Sequence, residues 1–203
     1  MNHRKTKGNM KASILNGGRS VTQVLMAAAL TSALFLTVLK VGAAEDDGAL
    51  LGRLKDSKHS LADGIKQAEK ENGPGISAKF EMKGDTLMLS VYTAKTGLDK
   101  DAEHNVLIEL IGDAAKDTWH PETEVFEDKK HLTRSAMQLT LVQLSKLSLV
   151  DAIKKAETAQ RGTVYSAIPS VKNGNAVYDV KVATPDGKSV HLVVDGKTGN
   201  VSH

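Results

Sequence analysis

The stretch Ser148–Val201 decides the fold: SLVDAIKKAE at 148–157, TVYSAIPSV at 163–171, AVYDVKVA at 176–183, VHLVV at 190–194 and DGKTGNV at 195–201. Ser148 is a natural N-cap, because its hydroxyl oxygen can accept from a backbone N–H that the helix leaves unpaired. Asp151, three residues on, gives a weaker capping box and suits the positive end of the helix dipole. Leu149, Ile153 and Ala156 then recur at helical spacing and form one apolar stripe. Three alternating runs follow. Asn173-Gly174 and Pro185-Asp186-Gly187 supply the turns between them. Tyr178, Val180 and Val182 face one way, as do Val190, Leu192 and Val194, so each strand has one buried face. Pro169 marks Thr163–Val171 as an edge or bulged strand, since proline cannot donate to a ladder. The unit is one helix followed by a three-stranded antiparallel meander.

Working outward, the same unit occurs earlier in diverged form. SLADGIKQAE at 60–69 matches 148–157 at seven of ten positions, offset by 88 residues. Cap, acid and apolar stripe (Leu61, Ile65, Ala68) all persist. Gly64 replaces Ala152, a change that weakens a helix by up to about 1 kcal/mol. Strands follow at Ile76–Met82 and Thr86–Ala94, where Leu87, Leu89 and Val91 correspond to Tyr178, Val180 and Val182. Val106, Ile108 and Leu110 form the inner face of a third strand. The charged connection from Asp113 to Lys130 contains Trp119-His120-Pro121. His131–Lys146 is predicted as a helix with a wide apolar face: Leu132, Ala136 and Leu139, and beside them Met137, Leu141 and Leu144. Such a face suits a helix wedged between two units. The predicted class is α+β: two tandem helix plus three-stranded antiparallel sheet units joined by a helix.

The N-terminus carries the three parts of a secretory signal. A basic region runs to Gln23, Val24–Leu39 is nearly all apolar, and small residues at 41–44 place cleavage after Ala44. The apolar run holds 16 residues, about 24 Å as a helix, short of the roughly 20 residues a membrane crossing needs. The processed chain is therefore expected in the periplasm or secreted, not membrane-spanning. The formal charge of the whole chain is +3, but residues 1–44 hold six basic residues and no acid. The remaining 21 basic residues face 24 acidic ones, a balance of −3, which removes the electrostatic support for a nucleic-acid role. There is no cysteine, so thiol redox chemistry and cysteine metal sites are excluded.

At the second unit the pattern becomes specific. SLVDAIKKA at 148–156, AVYDVKV at 176–182 and LVVDGKTGNV at 192–201 together resemble the PepSY family, with Leu192 standing where valine is usual. The first copy is similar mainly in its helix and lacks the Asp-x-Lys-Thr-Gly ending. PepSY domains occur in propeptides of some secreted metallopeptidases, in spore-germination proteins and in small exported bacterial proteins. The resemblance implies inhibition or regulation of envelope peptidases and brings no catalytic residues. Asp195, Lys197, Thr198 and Gly199 are expected to form a turn: the Asp195 carboxylate can accept from N–H groups ahead of it, and Gly199 can take positive φ. The expected layout is a signal peptide at 1–44, a flexible lead-in at 45–58 with a short turn of helix around Ala49–Leu54, a diverged unit at 59–113, a charged connection and linker helix at 114–146, and a PepSY domain at 147–203.

Other candidate chemistry is thin. His59, His104, His120, His131 and His191 show no i, i+4 or His-x-His spacing of the kind preformed metal sites use, so neither metal nor cofactor is assigned. The sequence holds no Gly-x-Ser-x-Gly, His-Glu-x-x-His or cysteine nucleophile, and an enzyme is not expected. Trp119 either packs over a small core or, because tryptophan is enriched in interface hot spots, serves as a contact residue. An exposed edge at Thr163–Val171 or Ile76–Met82 would offer a strand to an extended partner segment. The expected function is a non-enzymatic module that binds a protein partner, an envelope peptidase or sensor. The alternative is a periplasmic protein holding a metal ion or small molecule in a cleft between the two units.

Overall fold

The serine caps act as their sequence position implies. Ser60 Oγ accepts from Asp63 N at 3.1 Å and donates to Asp63 Oδ2 at 2.7 Å; Ser148 does the same with Asp151, at 3.1 and 2.8 Å. They open the helices Leu61–Asn72 and Leu149–Ala159. Each helix is followed by a three-stranded meander. In the computed structural model, which describes residues 47–126 and 128–203, the helices in chain order are α1 (Asp47–Arg53), α2 (Leu61–Asn72), α3 (Lys129–Leu144) and α4 (Leu149–Ala159). The strands are β1 (Gly75–Lys83), β2 (Thr86–Ala94), β3 (Leu107–Asp113), β4 (Glu122–Val125), β5 (Thr163–Lys172), β6 (Asn175–Ala183), β7 (Ser189–Asp195) and β8 (Val201–Ser202). The expected signal segment and its cleavage position at Ala44 lie outside the described residues.

All eight strands join one antiparallel sheet in the order β4-β3-β2-β1-β5-β6-β7-β8. The two meanders therefore meet strand to strand at β1 and β5, through Ala78↔Ala167 and Lys79↔Ser166. Two expectations fall here. The strands at 76–82 and 163–171 are central, and the sheet edges are β4 and β8. The junction of the halves is a strand pairing within one sheet, so the halves are not separate lobes.

The register makes the halves correspond closely. Ala78 pairs with Val91 and Ala167 with Val180, which aligns Leu87, Leu89 and Val91 with Ala176, Tyr178 and Val180. The correspondence expected from sequence is thus corrected by two residues. That shift keeps the same face, because strand side chains alternate with period two, and so periodicity alone does not detect it. Across the next ladders Val91 pairs with Leu110 and Val180 with Leu192, so Asp113 is the counterpart of Asp195.

One face of the sheet carries Phe80, Leu87, Leu89, Val91, Leu110, Val180 and Leu192, which pack with Leu61, Ile65, Leu149 and Ile153 into a single core. Gly64 lets α2 close onto this face: a Cβ there would stand 2.4 Å from Leu89 Cδ2. The other face bears Ser77, Lys79, Ser90, Tyr92, Glu109, Asp179 and Lys181, and is polar.

Three further segments differ from expectation. The lead-in holds a helix, α1, where a short turn around Ala49–Leu54 is expected, and adds a 3-10 turn at Leu54–Asp56 with Leu54 buried in the core. The charged connection contains β4, whose residues Glu-Thr-Glu-Val lack any apolar alternation to announce them. Helix α3 begins and ends two residues earlier than predicted and stops at Ser145, before α4. It buries Ser135, Gln138, Leu139, Leu141 and Val142 and leaves Leu132, Met137 and Leu144 about half exposed. A helix crossing from one half of the sheet to the other needs only a narrow inward stripe, and part of that stripe is polar.

Candidate interaction surfaces

Asp195 organises the turn at the end of β7. Its Oδ1 accepts from Lys197 N at 2.9 Å, Thr198 N at 2.7 Å and Thr198 Oγ1 at 3.0 Å. Gly199 follows with φ of 73° and donates its N–H to Asp195 O at 2.9 Å. The hydrogen bonds from Thr198, then from Lys197 N, hold the Asp195 carboxyl below the usual carboxylate range. Lys197 is exposed. The first half keeps a reduced form of this device: Asp113 Oδ1 accepts from Ala115 N at 2.9 Å. In both halves the next carbonyl receives the chain before the helix: Lys58 N donates to Ala114 O at 2.9 Å and Lys146 N to Gly196 O at 2.8 Å. These residues close the chain, and Lys197 and Thr198 are exposed.

Trp119, which the sequence left open as a core or a contact residue, is fully buried. Its Nε1 lies over Gly112, where a Cβ would come within 2.7 Å, and its carbonyl accepts from Gln67 Nε2 at 2.7 Å. The indole fills the space between α2 and β3, so it serves the core and offers no surface to a partner. The sequence around it is polar, and the neighbours at 116–118 and 120 are all exposed.

The edge strand β4 presents a different surface. Glu109 of β3 is buried, accepts from Ser90 Oγ, and lies directly opposite Glu124 of β4. Like charges in that position are destabilising. Beside them Asp128 bonds His131 Nδ1 at 2.5 Å, and Phe126 stacks on both Tyr92 and His131 with centroids 5.5 and 5.7 Å apart. A cavity of about 350 Å³ lies between these groups. Burial, then the Glu109 carboxylate, raises the Tyr92 hydroxyl well above its ordinary range. The signal for this cluster was one carboxylate inside the apolar run Leu107-Ile108-Glu109-Leu110-Ile111.

The histidines do not converge. His59 contacts Lys116 O at 2.8 Å, His104 contacts Asp101 at 2.7 Å and His191 contacts Asp179 at 3.2 Å, each on a different element. Among the described residues no helix is long and apolar enough to cross a membrane.

Comparison with known proteins fits this geometry at one level. Residues 146–202 match the PepSY family model, described as peptidase propeptide and YPEB domain. That segment, α4 with β5 to β8, is a PepSY domain. No curated protein matches the chain. A solved structure assigned as a candidate lipoprotein from Clostridium difficile 630 aligns over 72% of this chain and 92% of its own, with 17% identity and a TM-score of 0.39. A likeness at that score carries no argument about function.

Proposed function

We propose that this chain is an exported, non-enzymatic protein that binds an envelope peptidase or sensor and restrains or regulates it. The observation that carries the reading is the PepSY domain at 146–202, in a family whose description names peptidase propeptides. A propeptide acts by contact with its peptidase, so a binding role needs no catalytic group of its own. The signal-like residues 1–44 support export to the periplasm or beyond. We further read residues 59–113 as a diverged copy of the unit at 147–203. The matched caps, the Asp113 and Asp195 turns and the equivalent registers support that reading. On this view the extra strand β4 and helix α3 are what the first half and the linker add to a plain PepSY unit.

Affinity capture from an envelope extract tests the reading, using the exported protein with a mild crosslinker and mass spectrometry. A peptidase or sensor ectodomain should be enriched over a control protein of similar charge, and a captured peptidase should lose activity at saturating protein. No enriched partner, or an unaffected peptidase, would overturn it.

A further inference from the structure

The seam between the two halves is paired at one end only. Beyond Ala78↔Ala167 the next ladder position on β5 is Pro169, which has no N–H to give. Which backbone groups are left open follows from the alternation of antiparallel ladders. Gly196 N donates to Ala176 O, so Ala176, Tyr178 and Val180 turn their backbone toward β7. Val177 and Asp179 therefore bond β5 through Ser170 and Ile168. Ala167, Pro169 and Val171 point the other way, toward β1. Ala167 is paired there. By the same alternation the carbonyl of Pro169 and both backbone groups of Val171 have no partner on β1, and Pro169 and Ser170 line an opening between β5 and α3.

That opening is a cavity of about 490 Å³, within the range of roughly 300–1,000 Å³ typical of ligand pockets. Gln138 of α3 reaches into it. Its side chain is only 3% exposed; Oε1 accepts from Ser77 Oγ at 2.8 Å, and its amide nitrogen has no hydrogen-bond partner among the described residues. Arg134 stands one turn earlier on the same wall, exposed and without an ion pair among the described residues. Lys129 and Lys130 extend this positive wall to the start of α3, where Asp128 caps the helix and the first turn itself carries no acid. Cations there oppose the helix dipole, so their placement does not serve the helix. Met137 and Ile168 give the apolar part of the lining, and Met137 and Val171 are 50% and 59% exposed.

We propose that this slot binds an extended segment of a partner protein that carries a carboxylate side chain. The segment's backbone adds to the free edge of β5 at Pro169–Val171. Its carboxylate meets the Gln138 amide and the Arg134 guanidinium, and a neighbouring apolar side chain lies on Met137 and Ile168. The inference rests on the protein-binding reading above and names the surface and the chemistry of the partner.

Fluorescence anisotropy with two labelled hexapeptides tests it, one alternating glutamate with valine and the other lysine with valine, against the exported full-length product. The glutamate peptide should bind at least tenfold more tightly. Arg134→Glu should weaken it at least tenfold. Val171→Pro, which deletes the free N–H on the open side of β5, should do the same with an unchanged unfolding midpoint. Lys66→Glu, on the exposed side of α2, should have no effect. Equal affinity for the two peptides, no binding, or wild-type affinity in both slot variants would overturn the proposal. Failure of the two readings is separable. A partner captured equally by the wild type and by Arg134→Glu sinks the slot and leaves the binding function standing. Capture that fails outright sinks the function itself.

Discussion

Gly64→Ala is the substitution on which helix propensity and packing disagree most sharply. Propensity alone predicts stabilisation of α2 by up to about 1 kcal/mol, because glycine carries a large entropic penalty in a helix interior. Packing predicts the reverse. The new methyl carbon would stand 2.4 Å from Leu89 Cδ2 and 3.2 Å from Leu89 Cγ, and Leu89 is fully buried. Overpacking in a filled core costs roughly 1–3 kcal/mol. With the helix gain subtracted, we expect a net loss of about 1 kcal/mol. For a domain of this size that lowers the midpoint of thermal unfolding by about 3 °C. The opposing terms separate in a double-mutant cycle with Leu89→Val, which removes the δ carbons at a cost of about 1 kcal/mol. In that background Gly64→Ala should become stabilising, giving a coupling of about 2 kcal/mol. Circular dichroism melts and urea titrations of the four proteins measure it. A raised midpoint for Gly64→Ala alone, or additivity across the cycle, would refute the claim that close approach of α2 to β2 requires glycine here.

Two further outcomes follow from the same structure. The Asp195 carboxyl is held below its ordinary value by the Thr198 and Lys197 hydrogen bonds, so its contribution is present above the unfolded carboxylate pKa of about 4 and is lost as pH falls below it; Asp195→Asn should flatten part of the acid limb of a midpoint-against-pH curve, and an unchanged limb would count against the turn. Trp119 is the chain's single tryptophan and is fully buried, so native emission should be blue-shifted and resistant to acrylamide, shifting red only on unfolding; ready quenching of the folded protein would contradict its place under α2.

Much of the fold is legible because each signal is local. A serine followed three residues later by aspartate before an apolar stripe specifies both α2 and α4, and Asn173-Gly174 specifies the β5–β6 turn, where Asn173 itself takes φ of 51°. The segments that escape are those whose reasons lie elsewhere in the chain. β4 has no apolar face of its own and exists because β3 offers it a ladder. Trp119 sits in a polar neighbourhood and is buried by α2, which precedes it by about fifty residues. Gln138 and Ser135 interrupt the apolar stripe of α3 because that helix crosses a seam, where part of what it meets is the polar side of β1. The Asp195 turn is legible as a turn for the same local reason as the caps, and for that reason it says little about function.

Pro169 shows how a sound local inference can be assigned to the wrong place. Proline in a strand implies that one side of that strand lacks a partner, and this holds: the side of β5 at Pro169 is unpaired. The inference fails only in equating an unpaired side with the outer edge of the sheet. β5 is central by order, yet its pairing with β1 stops at Ala167, and α3 lies beside the gap instead of a strand. Ile76 in β1 and Tyr165 in β5 each stand at a break in register, so both central strands bend near the seam. Two meanders that paired along their full length would close this gap and bury the backbone of Val171. The proline and the two irregularities act together to prevent it. The open backbone expected at the rim of the molecule therefore lies in the middle, between the two halves, within reach of Gln138 and Arg134.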